Sequence, residues 1–528
     1  MPAMQRQGDA VTRWQGDRAT SSPFHLVTLS VIVAVYLAIG TLYAVNTPAW
    51  QIPDEPAHYN YIRDIAQTGR LPVLQVGDYD QAYLERLKSD RFPPNLPIDS
   101  VRYESYQPPL YYLLATPVFL LFGGAPVPLR LFSLALGAGV IGFAFLVVRE
   151  LFPARPLLAL AAAGFIAFIP QHVAMMAGVN SDSLAGLVMG AGLWMVVKGT
   201  KGTEAIQGTG SGRKWEFALA VVVGAAFLTK VTVYPLALTA ALTILLRWMR
   251  QHPVVEWRAN PRVKLATGVW EKDAAGWSVS SGGMPLENPA EQVTRNVANL
   301  QTWIPALWRA ARPLIFDLSL VFVPALLIGA LYWGRNVAVY GWPDFLGAIR
   351  HAAVVQGQPR TSEWIATYGS AEVARRFLTT TFQSFWGQFG WMGVVMDRRV
   401  YLALLLYSAA LTVGAIGAAV RRPSLTTAQR DGLTILGVSG LISLAVYLYY
   451  NVSFVQHQGR YLFPALIPLG LAAAVGIGQW VHWLVAAARL KGQEAGQWVE
   501  WSLTFAPIAV MAALDVFALY RFIIPALT

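Results

Sequence analysis

The sequence predicts an all-α integral membrane protein: a bundle of about eleven transmembrane helices (range roughly 10 to 13), with juxtamembrane helices in its first long loop. Of its 528 residues, 55% are hydrophobic and only 13% are charged, and the mean hydropathy is +0.44. Soluble domains carry about a quarter charged residues. Apolar runs long enough to cross about 30 Å of hydrocarbon also recur along the chain. The composition therefore excludes a cytosolic enzyme.

The cysteine count and the net charge limit the chemistry further. The chain has no cysteine, which excludes disulfides, thiolate metal sites and a cysteine nucleophile. Its net charge is +11. In a soluble protein this excess would indicate nucleic-acid binding, but in a membrane protein basic residues collect in cytoplasmic loops and near anionic lipid. We therefore expect membrane lipids and an anionic lipid substrate as partners, and no nucleic acid.

The first apolar run, residues 24–45, orients the chain. It follows a tail, residues 1–23, whose arginines predict a cytoplasmic amino terminus. The run exceeds the apolar region of about 7–15 residues found in signal peptides, which indicates an uncleaved anchor. We expect residues 24–528 to form one polytopic membrane domain.

Ten further spans are predicted after the first. The stretch 106–124 contains prolines and is marginal in length for crossing a bilayer; it could equally lie in the interface or re-enter, and we leave it out of the spans. Leaving it out also satisfies the positive-inside rule. The predicted spans are 24–45, 127–148, 157–176, 184–197, 215–228, 232–246, 313–333, 401–420, 434–450, 462–484 and 503–524.

Three long connections join these spans. Residues 46–126 form the first outer loop, which we expect to be catalytic, and residues 335–398 form the second. Residues 247–312 form a basic cytoplasmic insert, whose part from 291 to 312 is expected to be an amphipathic interfacial helix.

The first outer loop begins with the acidic motif PDEPAH. Asp54 and Glu55 lie about ten residues beyond the hydrophobic edge, where the head group of a membrane-bound substrate would lie. His58 and Tyr61 follow at helical spacing and predict a short juxtamembrane helix. A carboxylate at its start could act as a general base. The alternative is a helix-capping aspartate followed by a first-turn glutamate.

Several basic and acidic side chains are expected on the same side of the membrane. Asp182 begins the fourth span, where it could be only a helix cap. Lys230 lies between two short spans, where a charge is costly without an anionic partner. Arg335 and Arg460 lie at the outer ends of spans, where snorkelling is the alternative. Together Lys230, Arg335 and Arg460 could bind a phosphate.

Aromatic and polar side chains in the outer loops could bind substrate, although an interfacial aromatic belt is the alternative for the aromatic ones. Nucleotide-binding, zinc-protease and serine-hydrolase motifs are absent from the sequence, and the histidines have no metal-ligand spacing. Asp515 lies within the last span with no evident partner. The predicted substrate-binding residues are His58, Tyr61, Tyr106, Gln107, Asp182, Trp386, Trp391, His457 and Gln458.

The chain resembles the GT-C superfamily of membrane glycosyltransferases, which use polyprenyl-phosphate sugars, as do the protein O-mannosyltransferases and aminoarabinose transferases. The resemblance lies mainly in residues 24–250, in PDEPAH, YQPPLYYLLATPVFLLFG and FLTK. The second half, with RNVAVYG, SFWGQFGW and QGRYLFP, resembles a bacterial branch of the same superfamily.

The resemblance implies roles for particular residues. The acidic residue that opens the first outer loop is the catalytic base in that superfamily, which corresponds to Asp54, with Glu55 as its neighbour. The lysine of the LTK element faces the lipid phosphate, which corresponds to Lys230. No cofactor is required, although a divalent cation could bind if Asp54 and Asp182 converge.

We therefore expect an inverting glycosyltransferase of a bacterial plasma (inner) membrane, with an extracytoplasmic active site. It would move a sugar from a polyprenyl-phosphate donor to a hydroxyl of a glycan, lipid or protein acceptor. A transporter or lipid flippase is the main alternative, and a scaffold without chemistry is a third.

Overall fold

The computed structural model describes residues 23–201, 212–251, 270–273, 276–279, 289–490 and 496–528. Almost all of the predicted tail and much of the predicted basic insert lie outside these ranges. The described chain is mainly helical, and its strands form two short antiparallel pairs. The strands are β1 (Trp270–Asp273), β2 (Gly276–Val279), β3 (Gln388–Phe389) and β4 (Val394–Val395).

Within its described residues, the first half of the chain contains ten α-helices, with a 3₁₀ turn at Val231–Val233 before the tenth. They are α1 (Pro23–Asn46), α2 (Glu55–Thr68), α3 (Gln81–Ser89), α4 (Leu110–Leu121), α5 (Pro126–Leu151), α6 (Pro156–Ala167), α7 (Pro170–Met176), α8 (Asp182–Gly199), α9 (Gly212–Phe227) and α10 (Pro235–Gln251).

The second half has a 3₁₀ helix at Gly459–Ala465 and a π-helical turn at Leu519–Ile523. Its α-helices are α11 (Pro289–Tyr340), α12 (Ala348–Val354), α13 (Thr361–Tyr368), α14 (Ser370–Trp386), α15 (Arg398–Val420), α16 (Thr427–Ser453), α17 (Leu466–Leu490), α18 (Gln497–Ala518) and α19 (Ile524–Leu527).

All eleven predicted spans are helical in the structure, but not all are equally long. Within the described ranges, eight helices are long and apolar enough to cross a membrane. A ninth span results if α6 and α7, bent by 67°, count as one; Pro170 begins α7, where a proline interrupts helical hydrogen bonding. The two remaining predicted spans are α8, with 18 residues, and α9, with 16.

Two connecting segments clarify the topology. Helix α4 has 12 residues and is therefore about 18 Å long, too short to cross the hydrocarbon, as predicted for this segment. It buries Tyr111 and Tyr112 while exposing Leu120 and Leu121. The expected separate interfacial helix at 291–312 is instead continuous with the next span, because α11 runs unbroken through 52 residues.

The bundle buries its core between α5, α6, α8 and α17, with apolar side chains of α1 and α15 exposed on its outside. Close helix contacts depend on small residues, as is usual in membranes. A Cβ on Gly414 of α15 would lie 2.4 Å from the carbonyl oxygen of Gly476 in α17. This packing places the loop after α1, the start of α8 and the 3₁₀ helix at 459–465 next to one another.

Candidate functional site

Asp54 lies at the centre of the candidate site, between α1 and α2. Its φ of 67° is in the left-handed region, and its side chain makes no helix-capping hydrogen bond. The Oδ2 atom instead accepts a hydrogen bond from Arg460 Nη2 at 2.6 Å, and Oδ1 accepts one from the hydroxyl of Tyr103 at 2.8 Å. The capping alternative is therefore wrong for this side chain. Such strained non-glycine conformations cluster at functional sites.

Glu55 is fully buried and points to a different partner. It forms a bidentate ion pair with Arg130, with Nη2–Oε2 and Nε–Oε1 distances of 2.6 and 2.7 Å. The backbone N–H groups of Trp50 and Val179 also donate to its two oxygens. Because both oxygens are occupied, we assign Glu55 to holding the loop, in place of the catalytic role predicted from sequence.

Arg130 was not predicted from the sequence, although a lone arginine at the start of an apolar span was a usable signal. Its guanidinium also donates to the carbonyls of Ala44, Thr47 and Pro48 at 2.6 to 3.0 Å. These carbonyls lie at the end of α1 and just beyond it. Arg130 therefore fixes the backbone that leads into Asp54.

Lys230 has the anionic partner that its position required. Its Nζ lies 2.6 Å from Asp182 Oδ1, and the two side chains are 14% and 26% exposed. Asp182 is the first residue of α8, and Ser181 is its N-cap, so the carboxylate also lies at the positive end of that helix. The side chain of Asp182 thus serves as a partner to Lys230.

Arg460 is held by the residues around it. Its Nε donates to Gln458 Oε1 at 2.7 Å, and its side chain is only 5% exposed. Gly459 is required beside it, because a Cβ there would lie 2.3 Å from the backbone oxygen of Thr381. Gln458, predicted to bind substrate, therefore orients the guanidinium that reaches Asp54.

The pKa values of the titratable groups in the site differ widely. Burial raises the pKa of the Asp54 carboxyl, but the charge of Arg460 and the other favourable contacts, among them the hydrogen bonds from Arg460 and Tyr103, together outweigh this effect and hold the pKa at about 2. Burial and the charge of Lys230 lower the pKa of His58 to about 3, so the imidazole is neutral at pH 7. Burial and the charge of Asp54 raise the pKa of Glu104 to about 7. Glu104 is a site residue that the sequence reasoning missed.

A cavity extends from the ion pairs into the bundle. Asp182 and Arg460 line one part of it. The remaining wall is mainly apolar and includes Val140, Met176, Met189, Phe463 and Ile467. The lining of the cavity therefore combines charged groups with apolar side chains.

Other residues predicted to bind substrate contact one another and Tyr112 in the first long loop and α4. The ring of Tyr61 stacks on Tyr112 with centroids 3.6 Å apart, and its hydroxyl donates to the carbonyl of Gln107 at 3.1 Å. His58 Nδ1 lies 2.8 Å from the hydroxyl of Tyr112. The amide of Gln107 donates to the hydroxyl of Tyr106 at 3.2 Å.

The remaining predictions are not brought into this cluster. Arg335 donates to the carbonyl of Pro72 and to Asn336, so it holds the first long loop and does not join the other two cations. Trp386 is 3% exposed and packs in the core against Phe165.

Trp391 and His457 also have structural contacts. The indole of Trp391 donates to the carbonyl of Trp50 at 2.9 Å. The ring of His457 is buried and packs edge-on against Trp364 and Phe377. These contacts connect the second long loop to the rest of the bundle.

Within the part of the chain that the structure describes, no three histidine or acidic side chains group closely enough to hold a metal ion. Asp54 and Asp182, the two predicted candidates for a divalent cation, are each paired with a basic side chain.

Comparison with solved structures gives matches of low identity. ArnT from Cupriavidus metallidurans bound to undecaprenyl phosphate is 15% identical, with a TM-score of 0.44 over 96% of this chain and 74% of that chain. An oligosaccharyltransferase from Archaeoglobus fulgidus tethered with an acceptor peptide is 12% identical, with a TM-score of 0.47 over 94% of this chain and 55% of that chain. No curated protein matches the sequence.

The sequence match to a family is more informative. Residues 106–257 match the family described as dolichyl-phosphate-mannose-protein mannosyltransferase. This range contains the YQPPLYY and LTK elements that carry the sequence resemblance. Over these residues, which are less than a third of the chain, the match bears out the resemblance to the GT-C superfamily of membrane glycosyltransferases.

Proposed function

We propose that this protein transfers a sugar, with inversion, from a polyprenyl-phosphate donor to an acceptor hydroxyl on the extracytoplasmic face of a bacterial plasma membrane. The observation that carries the proposal is the pair of salt bridges, Asp54–Arg460 and Asp182–Lys230, beside a cavity with an apolar wall. A donor with an anionic head and an isoprenoid chain complements both features.

Lys230 and Arg460 would bind the donor phosphate. Each is neutralised by a carboxylate in the structure, so the phosphate must compete with Asp182 and Asp54 for them. When the bond from the sugar to the phosphate breaks, the leaving phosphate gains negative charge. The two cations therefore stabilise the transition state more than the bound donor, which is the requirement for catalysis.

Asp54 would act as the general base once Arg460 has moved to the phosphate. While Arg460 holds it, its pKa of about 2 makes it a weak base. Moving the cation to the phosphate raises that pKa, so donor binding activates the base. Asp54 then takes the proton of the acceptor hydroxyl, whose oxygen attacks the anomeric carbon, and the electron pair of the broken bond leaves on the polyprenyl phosphate. One displacement at that carbon inverts its configuration. No cofactor takes part in this scheme.

The variant Asp54→Asn tests this proposal. It keeps the side-chain shape but removes the base, so we expect transfer from labelled undecaprenyl-phosphate sugars to fall at least about 100-fold. Binding of undecaprenyl phosphate should become tighter, because the carboxylate no longer competes for Arg460. Asp90→Asn, an exposed aspartate of the same loop, is the matched control. An Asp54→Asn enzyme with wild-type transfer would overturn the assignment of the base.

A transporter or lipid flippase is the second candidate. The observation that favours it is the pair of broken helices near the cavity, α6–α7 with its 67° bend and the interruption at Lys230 between α9 and α10. Carriers use such breaks to bind charged cargo within the membrane. Substrate accumulation in vesicles without bond formation would favour this reading.

A further inference from the structure

Glu104 lies at a fixed position in the loop between α3 and α4. The backbone N–H of Gln107 donates to the Glu104 carbonyl at 2.9 Å, and the N–H of Ser105 donates to that of Arg102 at 2.9 Å. Its neighbour Tyr103 donates to Asp54. Successive turns thus hold Glu104 next to the residue that contacts the predicted base.

The side-chain amide of Gln107 interacts with the carboxyl group of Glu104, which is nevertheless incompletely satisfied. Its Oε2 atom is buried and has no hydrogen-bond partner in the structure. A buried polar atom without a partner is unfavourable and rare in proteins. Glu104 interacts electrostatically with Asp54, Lys230 and Asp182, so a substrate bound at their ion pairs can supply the missing donor.

The groups around Glu104 show which donor is needed. Of the three carboxylates in the cluster, Asp54 and Asp182 each have a cation, whereas Lys230, the cation that acts on Glu104, is already bonded to Asp182. The other titratable groups that interact with Glu104 are four neutral phenols. Tyr103 and Tyr106 lie in the first long loop, Tyr112 in α4 and Tyr450 in α16.

We propose that Glu104 contacts the substrate and accepts a hydrogen bond from a sugar hydroxyl in the transfer site. The hydroxyl belongs either to the donor sugar or to a saccharide acceptor, which share this chemistry. The inference rests on the proposed function, because it assigns a further residue to the same reaction. Burial and the charge of Asp54 raise the pKa of Glu104 to about 7, so the stronger, ionised acceptor is present above that pH and is lost below it.

The variant Glu104→Gln tests the proposal, because it keeps the side-chain size and removes the charge. We expect KM for one substrate to rise about tenfold with a smaller change in kcat, and unchanged binding of undecaprenyl phosphate. The acid limb of kcat/KM, expected near pH 7 in the wild type, should flatten. A higher KM for the undecaprenyl-phosphate sugar would show that Glu104 binds a hydroxyl of the donor sugar. A higher KM for the saccharide acceptor would show that it binds a hydroxyl of the acceptor.

Glu85→Gln, which changes an exposed glutamate in α3, is the matched control and should have the KM values and the pH profile of the wild type. If Glu104→Gln does not fold, Glu104→Asp replaces it: its KM should rise while the acid limb remains. Wild-type KM values and an unchanged pH profile in the folded Glu104 variant would overturn the proposal. The absence of transfer by the wild type would instead overturn the proposed function.

Discussion

Arg460 connects the two halves of the chain at the level of single residues. It bonds Asp54, which lies 406 positions earlier, and it also contacts Met175 and its own neighbour Gln458. A planar guanidinium reaches these separate partners with five N–H donors in a rigid fork, whereas the three donors of an ammonium group all lie on a single nitrogen. The geometry of the site therefore depends on an arginine at this position.

Arg460→Lys keeps the positive charge and removes this geometry. We expect affinity for undecaprenyl phosphate to fall by about tenfold and transfer to fall at least as much, because the fork that matches a phosphate is lost. Lipid binding in detergent and the transfer assay measure the two effects. Arg399→Lys, at an exposed position, is the control. Unchanged lipid affinity would remove Arg460 from the phosphate site.

The sequence predicted Asp54, Asp182, Lys230 and Arg460 as site residues but not their pairing. Their charges were visible, whereas the two ion pairs result from packing between segments far apart in the chain. Glu104 was missed because a single acidic residue in an aromatic loop has no spacing signal.

Asp54 directly precedes helix α2, and Glu55, the first residue of α2, holds this helix in place. Glu55 and Arg130 are both almost completely buried and join α2 to α5. Removing one partner of such a pair leaves a buried charge, which is strongly destabilising. The Glu55–Arg130 ion pair therefore stabilises the position of α2 in the folded protein.

Glu55→Gln is expected to destabilise the folded protein by about 3 to 5 kcal/mol, because Arg130 is left without its charge partner. Thermal unfolding in detergent measures the loss. The double variant Glu55→Gln with Arg130→Met should recover part of it, since it removes both buried charges. A Glu55→Gln protein that is as stable as the wild type yet inactive would restore the catalytic role predicted from sequence.

Hydropathy predicted the positions of the helices in the bundle more reliably than it predicted their boundaries and breaks. Each predicted span is helical in the structure, and the short α4 was expected not to cross the membrane. The continuity of α11 was not predicted, because the amphipathic pattern of residues 291–312 suggested a separate interfacial helix. The bend between α6 and α7 was not predicted either, although Pro170 marks the position where α7 begins.

At the scale of the whole molecule, the chain places charged groups from its first and last thirds next to an apolar cavity. Asp54 comes from the first loop, Asp182 from the start of α8 and Arg460 from the 3₁₀ helix before α17. Two of the basic residues are paired with carboxylates here, so these two pairs add nothing to the net charge of +11. Such an arrangement suits exchange of an anionic ligand.

The central claim is that the protein makes a glycosidic bond, and the most direct test is to follow that bond. The purified full-length protein in proteoliposomes would receive a panel of labelled undecaprenyl-phosphate sugars with lipid, glycan and peptide acceptors. Mass spectrometry would measure free undecaprenyl phosphate and glycosylated acceptor. We predict that both products form in equal amounts and that Asp54→Asn abolishes them. Movement of an intact labelled donor across the vesicle membrane without either product would contradict the account.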